Sequence, residues 1–169
     1  MILIINTSSD KKISSRMASL EVPGQETVVF DCSELKISHC IGCNHCWLRT
    51  PGECSIKDDY TKIMKTLVKA DQMWVITDTA LGFMDHKGKN VFDRIIPILD
   101  MYLHFRGDQM RHVMRYDQRT DIGLIVTGEC DMNYLDRWCK RAALNIDSKS
   151  LGVYKTDKLK EAVSCMAKL

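Results

Sequence analysis

Short apolar runs alternate with amphipathic, polar segments along this chain. Five runs are almost wholly apolar, as expected of strands that are buried on both faces of a sheet. They lie at 2–6, 27–31, 72–77, 121–127 and 150–154. The segments between them carry apolar residues at helical spacing. This alternation predicts a parallel sheet with helices packed on both faces.

The intervening segments predict the helices. Apolar positions with a helical period lie near 14–20, 58–69, 131–146 and 156–169. A longer helix is predicted after the third strand, with Pro97 as a kink inside it. Its apolar face would consist of Val91, Phe92, Ile95, Ile96, Leu99, Tyr102 and Leu103.

Five parallel strands with right-handed crossovers allow few topologies, and the flavodoxin-like order 2-1-3-4-5 is the commonest. We therefore predict a three-layer α/β sandwich, with residues 1–169 as a single domain and a cysteine-rich insertion loop at 39–58. Ligands of such sheets bind at the carboxyl ends of the strands. The loops after strands 1, 3 and 4, at 7–15, 78–90 and 128–131, should meet there.

Composition narrows the class of protein. Apolar residues make up 45% and charged residues 27%, and the net charge is +2, so nothing favours nucleic acid as a partner. No apolar run reaches membrane-spanning length, and the opening apolar run is too short for a signal peptide. A cytoplasmic location is therefore expected. In that reducing compartment eight cysteines favour metal or redox chemistry over disulfides.

Four of these cysteines are closely spaced, as C-x2-C-x2-C-x7-C: Cys40, Cys43, Cys46 and Cys54. Three thiols at this spacing can surround one centre, and bacterial ferredoxins use such a run for iron–sulfur clusters. Zinc sites more often pair two distant C-x2-C units, which favours a [4Fe–4S] cluster. Because His39 and His45 could serve as ligands, zinc stays open, as do free thiols in a packed loop.

The stretch CIGCNHCWLRTPGECSIKDDYTKIMKTLVKADQMWVIT resembles the NADPH-dependent FMN reductase and iron–sulfur flavoprotein group of flavodoxin-like proteins. Asp58 and Asp59 match the aspartate pair of that family, and Ala70 with Asp71 matches its Ala-Asp pair. The segment KNVFDR at 89–94 is similar to its lysine-x-x-x-aspartate-arginine helix start. The resemblance covers about residues 1–130. It implies FMN binding, electron transfer, an oligomer and, in the cysteine-bearing branch, a [4Fe–4S] cluster.

The resemblance also implies a flavin site. The FMN phosphate would lie against hydroxyl-rich residues of the first loop: Thr7, Ser8, Ser9, Ser14 and Ser15. The flavin ring would lie between the loops after strands 3 and 4, near Asp78, Thr79, Ala80, Gly82, Phe83, Gly128 and Glu129. His86, in the same region, is a candidate proton donor to a reduced flavin.

These patterns predict an FMN-dependent oxidoreductase or electron-transfer flavoprotein, similar to NAD(P)H-dependent FMN reductases. Its expected partners are NAD(P)H or an electron-carrier protein, in a homodimer or homotetramer, with no nucleic acid or membrane. The residues identify no catalytic group. The alternative is a degenerate flavodoxin-fold protein that binds zinc or no cofactor and acts as a structural or interaction module. Asp10 favours it, because it stands where the family's phosphate loop carries a positive charge.

Overall fold

The computed structural model describes residues 1–19, 22 and 24–167. The strands, in chain order, are β1 (Ile2–Asn6), β2 (Thr27–Asp31), β3 (Gln72–Ala80), β4 (Phe83–Met84), β5 (Leu99–Arg106), β6 (Gln109–Met114), β7 (Asp121–Thr127) and β8 (Ser150–Lys155). Five of them form a parallel sheet in the order β2-β1-β3-β7-β8. The predicted flavodoxin-like order is therefore confirmed.

The helices are α1 (Lys11–Ala18), α2 (His45–Leu48), α3 (Tyr60–Leu67), α4 (His86–Arg94), α5 (Met132–Asn145) and α6 (Leu159–Met166). The last predicted residue of the first helix, Leu20, and those of the final helix, 168–169, lie outside the described residues. Two apolar clusters cover the two faces of the sheet. Within the described residues, every helix is too short or too polar to cross a bilayer.

The centre of the sheet depends on a glycine. A Cβ atom at Gly123 in β7 would lie 2.5 Å from Cε3 of Trp74, a fully buried residue of β3. The indole therefore occupies space that any larger residue at 123 would fill. Its Nε1 donates to Gln72 Oε1 at 2.7 Å, so the buried polar atom is satisfied.

The predicted long helix after the third strand is wrong. The helix α4 ends at Arg94, and Pro97 lies in a 3-10 turn at Ile96–Ile98. The chain then forms the antiparallel hairpin β5–β6. Proline lacks the N–H that the helix interior needs and clashes with the preceding turn, so here it ends the helix instead of kinking it. Tyr102 and Leu103 are accordingly exposed on β5.

The helix α4 also holds the ends of the cysteine-rich segment 39–58, which we call the cysteine loop. The Arg94 side chain is 1% exposed and donates two hydrogen bonds of 2.9 Å to the Asp58 carboxylate. The same guanidinium donates to the Ser38 carbonyl at 2.7 Å. Asp58 in turn accepts from the Ser38 N–H at 2.8 Å. Both ends of the loop are thus joined to one buried cation.

The guanidinium also lies 4.7 Å from the ring centroid of the buried Tyr60, in cation–π geometry. Burial acts to raise the pKa of Asp58, but the hydrogen bonds from Arg94 and Ser38 outweigh it and hold that pKa below its usual range. The pair is therefore ionised at neutral pH. Breaking such a pair leaves an uncompensated buried charge, at a typical cost of about 3–5 kcal/mol.

We predict that Asp58→Asn lowers the free energy of unfolding at pH 7 by about 3 kcal/mol, measured by urea denaturation, because Arg94 then stays charged and buried. Since the folded pKa of Asp58 is depressed, its contribution is complete above the unfolded value of about 3.9 and is lost as the pH falls through the folded pKa. The difference between wild type and variant should therefore shrink only in acid.

The neighbouring Asp59 provides the matched control. Its side chain is 29% exposed, pairs with Lys62 at the surface and accepts the Lys36 N–H at 3.0 Å, so neutralising it leaves no buried charge uncompensated. Asp59→Asn should therefore cost clearly less than Asp58→Asn. Equal losses in the two variants would contradict the assignment of Asp58 as the anchor of the loop.

Candidate functional site

The cysteine loop turns back on itself. Gly42 and Asn44 have positive φ angles of 64° and 55°, and the left-handed conformation at these two positions reverses the chain before α2. Gly52 has a φ of 85°, and a Cβ there would lie 2.9 Å from the Tyr116 hydroxyl. The turn before Cys54 therefore packs closely against the segment that follows β6.

The four thiols are half-buried. Burial raises the pKa of Cys46, and the neighbouring thiols of Cys54, Cys40 and Cys43 add to that rise. Cys43 instead lies 3.5 Å from the Ser55 hydroxyl, and this hydrogen bond lowers its pKa. Among the described residues, no three His, Cys, Asp or Glu side chains have the geometry of a metal site. Convergence of the four on one centre stays a prediction.

Side chains of α4 and of the β5–β6 hairpin contact the cysteine loop. Asn90 accepts a hydrogen bond from the Cys40 N–H at 3.1 Å and donates to the Ser38 carbonyl at 3.2 Å. Trp47 donates from its indole N–H to the Ile96 carbonyl, and its ring lies 4.8 Å from that of His112 on β6. The loop is therefore held by side chains that lie far away in the sequence.

A crevice of about 180 Å³ opens beside the loop, at the carboxyl end of the sheet. It is lined by Thr7, Cys32, Leu35, Ile37, His39, His86, Lys87, Asn90 and Val91. The rings of His39 and His86 are 5.7 Å apart. Burial raises the pKa of the Cys32 thiol to about 12, so that thiol is neutral. Sequence reasoning missed Cys32, Lys87 and Asn90; their position just after β2 and β3 was the available signal.

The first loop is already hydrogen-bonded within the protein. Thr7 donates from its hydroxyl to the Ile76 carbonyl at 3.0 Å, and Ser8 donates to Asn6 Oδ1 at 2.7 Å. Ser14 bonds to Asn6 and, at 2.5 Å, to Asp31 Oδ2. Ser15 is exposed on α1. The structure thus brings these predicted phosphate ligands together, but it points three of their hydroxyls at protein partners.

The backbone N–H of Ser9 also has a partner. It donates to Asp78 Oδ2 at 2.8 Å, from the end of β3. Asp10 caps α1 by accepting from the Lys12 N–H at 3.0 Å. Because carboxylates fill these positions, the loop as it stands does not fit a phosphate group.

The predicted ring-binding loops are joined to each other. Thr79 donates to the Thr127 carbonyl at 2.8 Å, and the Asp131 N–H donates to the Gly82 carbonyl at 3.0 Å. Gly128 has a φ of 83° and no room for a Cβ beside Thr79. No slot for a ring separates these bonded atoms.

Three further residues that the resemblance places beside the flavin ring have other surroundings in the structure. Phe83 packs edge-on against Trp138 of α5, with ring centroids 5.4 Å apart. Ala80 is exposed at the end of β3, where it pairs with Phe83. Glu129 is exposed and pairs with Lys155 at 3.2 Å.

A wider groove of about 400 Å³ lies on the other side of the cysteine loop, against α3. Cys54, Met64 and Tyr116 form part of its wall, together with Lys65 and the ion pair of Lys57 with Glu53 at 3.0 Å. The groove thus combines apolar side chains with charges of both signs.

No protein-family model matches the chain. Among curated proteins, a segment of 71 residues is 32% identical to the iron-sulfur flavoprotein of Archaeoglobus fulgidus. The match covers 42% of this chain and 34% of that protein, so this chain corresponds to about a third of the curated relative.

Solved structures share the fold at low sequence identity. The chain superposes with a TM-score of 0.60 on RosB with its bound intermediate 8-demethyl-8-formylriboflavin-5'-phosphate, at 12% identity over 91% of this chain and 63% of that one. A flavone reductase gives 0.56 at 10% identity, over 99% and 61% of the two chains. Smu.1420 from Streptococcus mutans UA159 gives 0.62 at 14%, over 99% of both.

These structural likenesses show the fold alone. The sequence match adds an iron-sulfur flavoprotein as a relative of part of the chain. The flavodoxin-like fold is thus confirmed, and the predicted resemblance to iron–sulfur flavoproteins is supported for part of the chain.

Proposed function

We propose that this chain is a flavin-dependent oxidoreductase in which the cysteine loop holds a [4Fe–4S] cluster beside the flavin. The observation that carries the proposal is the position of Asn90. This one side chain fixes Cys40 through its N–H and also lines the crevice at the carboxyl end of the sheet. A centre held by the loop and a ring held in the crevice would therefore share a wall.

The donor set supports a cluster. Four cysteines spaced C-x2-C-x2-C-x7-C provide the soft thiolate ligands that iron–sulfur clusters require. The loop that carries them is fixed at both ends by Arg94.

The crevice supports a flavin ring. Its volume of about 180 Å³ is below the ~300–1,000 Å³ of sites for whole drug-sized ligands, so it would enclose the ring and leave the tail outside. The resemblance implies FMN, whose phosphate would need the Asp78 carboxylate to leave the Ser9 N–H. A flavin accepts two electrons together and releases them singly, which is the chemistry that a neighbouring cluster requires.

The residues of the crevice have defined tasks in this proposal. His39 and His86 would hold a proton at an imidazole nitrogen beside the ring. Lys87 would place a positive charge near it, and such charge tunes the electron affinity of a flavin. Val91 and Ile37 provide apolar walls that limit the access of water to the ring.

Electron partners would approach the cysteine loop. NAD(P)H or an electron-carrier protein, the partners that the resemblance implies, would bind at the groove beside Cys54, whose wall includes Lys65 and the Lys57–Glu53 ion pair. A homodimer or homotetramer is proposed from the family resemblance. Exposed apolar side chains on the β5–β6 hairpin, among them Tyr102 and Phe105, would be covered in such an oligomer.

A second function is favoured by the filled loops after β1 and β3. In that alternative the chain keeps the fold, binds zinc or no cofactor through the cysteine loop, and acts as a structural or interaction module. It predicts that neither FMN nor riboflavin binds, and that zinc replaces iron after anaerobic purification.

We predict that anaerobic reconstitution with iron and sulfide loads a [4Fe–4S] cluster into the wild-type chain, with about four iron atoms per chain. Changing Cys40, Cys43, Cys46 or Cys54 singly to Ser should remove at least half of this iron. Cys130→Ser is the matched control, because Cys130 is half-buried near Met132, in the loop after β7. Full iron content after Cys43→Ser or Cys46→Ser would refute the ligand set.

We predict that a flavin bound in the crevice shifts the NMR signals of His39 and His86, because the aromatic ring of the ligand lies against them. The chain has five histidines, so labelling only histidine gives five resolvable signals, assigned by single His→Gln variants. His104 lies on the hairpin, away from the crevice, and should not move. Flavin binding without a shift of His39 or His86 would place the ring elsewhere.

A further inference from the structure

The Asp78 carboxylate occupies the position at which the first loop would otherwise bind an anion. Its Oδ2 accepts the Ser9 N–H at 2.8 Å, and its Oδ1 accepts the Thr127 hydroxyl at 2.5 Å. A free backbone N–H in the loop before a helix is what binds phosphate in folds of this kind. Here that donor is satisfied by a side chain from the neighbouring strand.

Two further carboxylates lie at the same loop. Asp10 accepts the Lys12 N–H at the start of α1, and Asp31 accepts the Ser14 hydroxyl. For both Asp31 and Asp78, burial acts to raise the pKa, but hydrogen bonds outweigh it and lower the pKa. Both groups are therefore charged at neutral pH. A phosphate dianion placed here would meet three negative charges at close range.

The cations closest in sequence to this loop do not offset these charges. Lys11 and Lys12 are exposed on α1, where water screens them. Burial acts to raise the pKa of Asp78, the hydrogen bonds from Thr127 and Ser9 lower it, and the positive charge of Lys87 is only the last of the contributions that lower it. The donors of the loop thus have hydrogen-bond partners within the protein.

We propose that Asp78 is an internal substitute for the phosphate and makes this site select a flavin without the 5'-phosphate, that is, riboflavin, over FMN. The inference rests on the proposed function, since it concerns the flavin that the same edge of the sheet would bind. The neutral ribityl tail brings no charge to the loop, and its hydroxyls can bond to the carboxylates that repel a phosphate.

The test compares the dissociation constants of FMN and riboflavin, measured by isothermal titration calorimetry on the full chain after anaerobic reconstitution. In the wild type, FMN should bind at least tenfold more weakly than riboflavin, because its phosphate meets the Asp78 carboxylate. The ratio of the two constants is the readout, so a general loss of folded protein in a variant does not alter it.

Two variants remove the charge in different ways. Asp78→Asn keeps the shape and a hydrogen-bond acceptor, and Asp78→Ser vacates the Ser9 N–H. We expect the preference for riboflavin to fall about threefold in the first and at least tenfold in the second. Asp117→Asn is the control, because it removes the same charge from an exposed residue just before the amino end of β7. It should leave the ratio unchanged.

The outcomes separate this inference from the proposed function. Tighter binding of FMN than of riboflavin in the wild type, or a ratio that neither Asp78 variant changes, overturns the inference alone. If neither flavin binds to the wild type or to the variants, the proposed function fails and the inference fails with it. If Asp78→Ser does not fold, the Asp78→Asn ratio decides.

Discussion

The buried ion pair between Arg94 and Asp58 is the interaction on which the rest of the candidate site depends. The cysteine loop has no strand and only the short α2 of its own, so its shape must be imposed by its ends. One guanidinium binds the carboxylate at the end of the loop and the Ser38 carbonyl just before it. A planar donor with several N–H groups can do this, whereas a lysine ammonium lacks the matching geometry.

This anchor also gives a physical reason for two motifs of the family resemblance. Asp58 belongs to the aspartate pair, and Arg94 ends the segment KNVFDR. These two residues are 36 positions apart in the sequence and meet in the fold. Asp58 and Arg94 thus join the two ends of the loop. Asn90, one helical turn before Arg94 on α4, extends this support to Cys40. A short helix thereby positions both the thiols and the wall of the crevice.

The negative charges of three aspartates determine which ligands the loop after β1 can accept. The resemblance implies a phosphate loop with free hydrogen-bond donors at the carboxyl end of the strands. The structure has Asp10, Asp31 and Asp78 there, and each accepts a hydrogen bond from a donor of the loop or of α1. The N–H and hydroxyl donors are present, as the resemblance implied, but they are satisfied internally. The fold by itself therefore does not tell which ligand this end of the sheet accepts.

The apolar runs by themselves determined the sheet: continuous buried strands leave little choice of topology once crossovers are right-handed, so the order β2-β1-β3-β7-β8 followed. Spacing likewise indicated the cysteine loop. Tertiary structure alone decided the rest. Leu99, Tyr102 and Leu103 fit a helix as well as a strand, and the hairpin formed because Pro97 ends α4. The partners of Ser9, Asp58 and Asn90 lie 69, 36 and 50 positions away, and no local pattern encodes contacts that only the packing of β3 and α4 brings together.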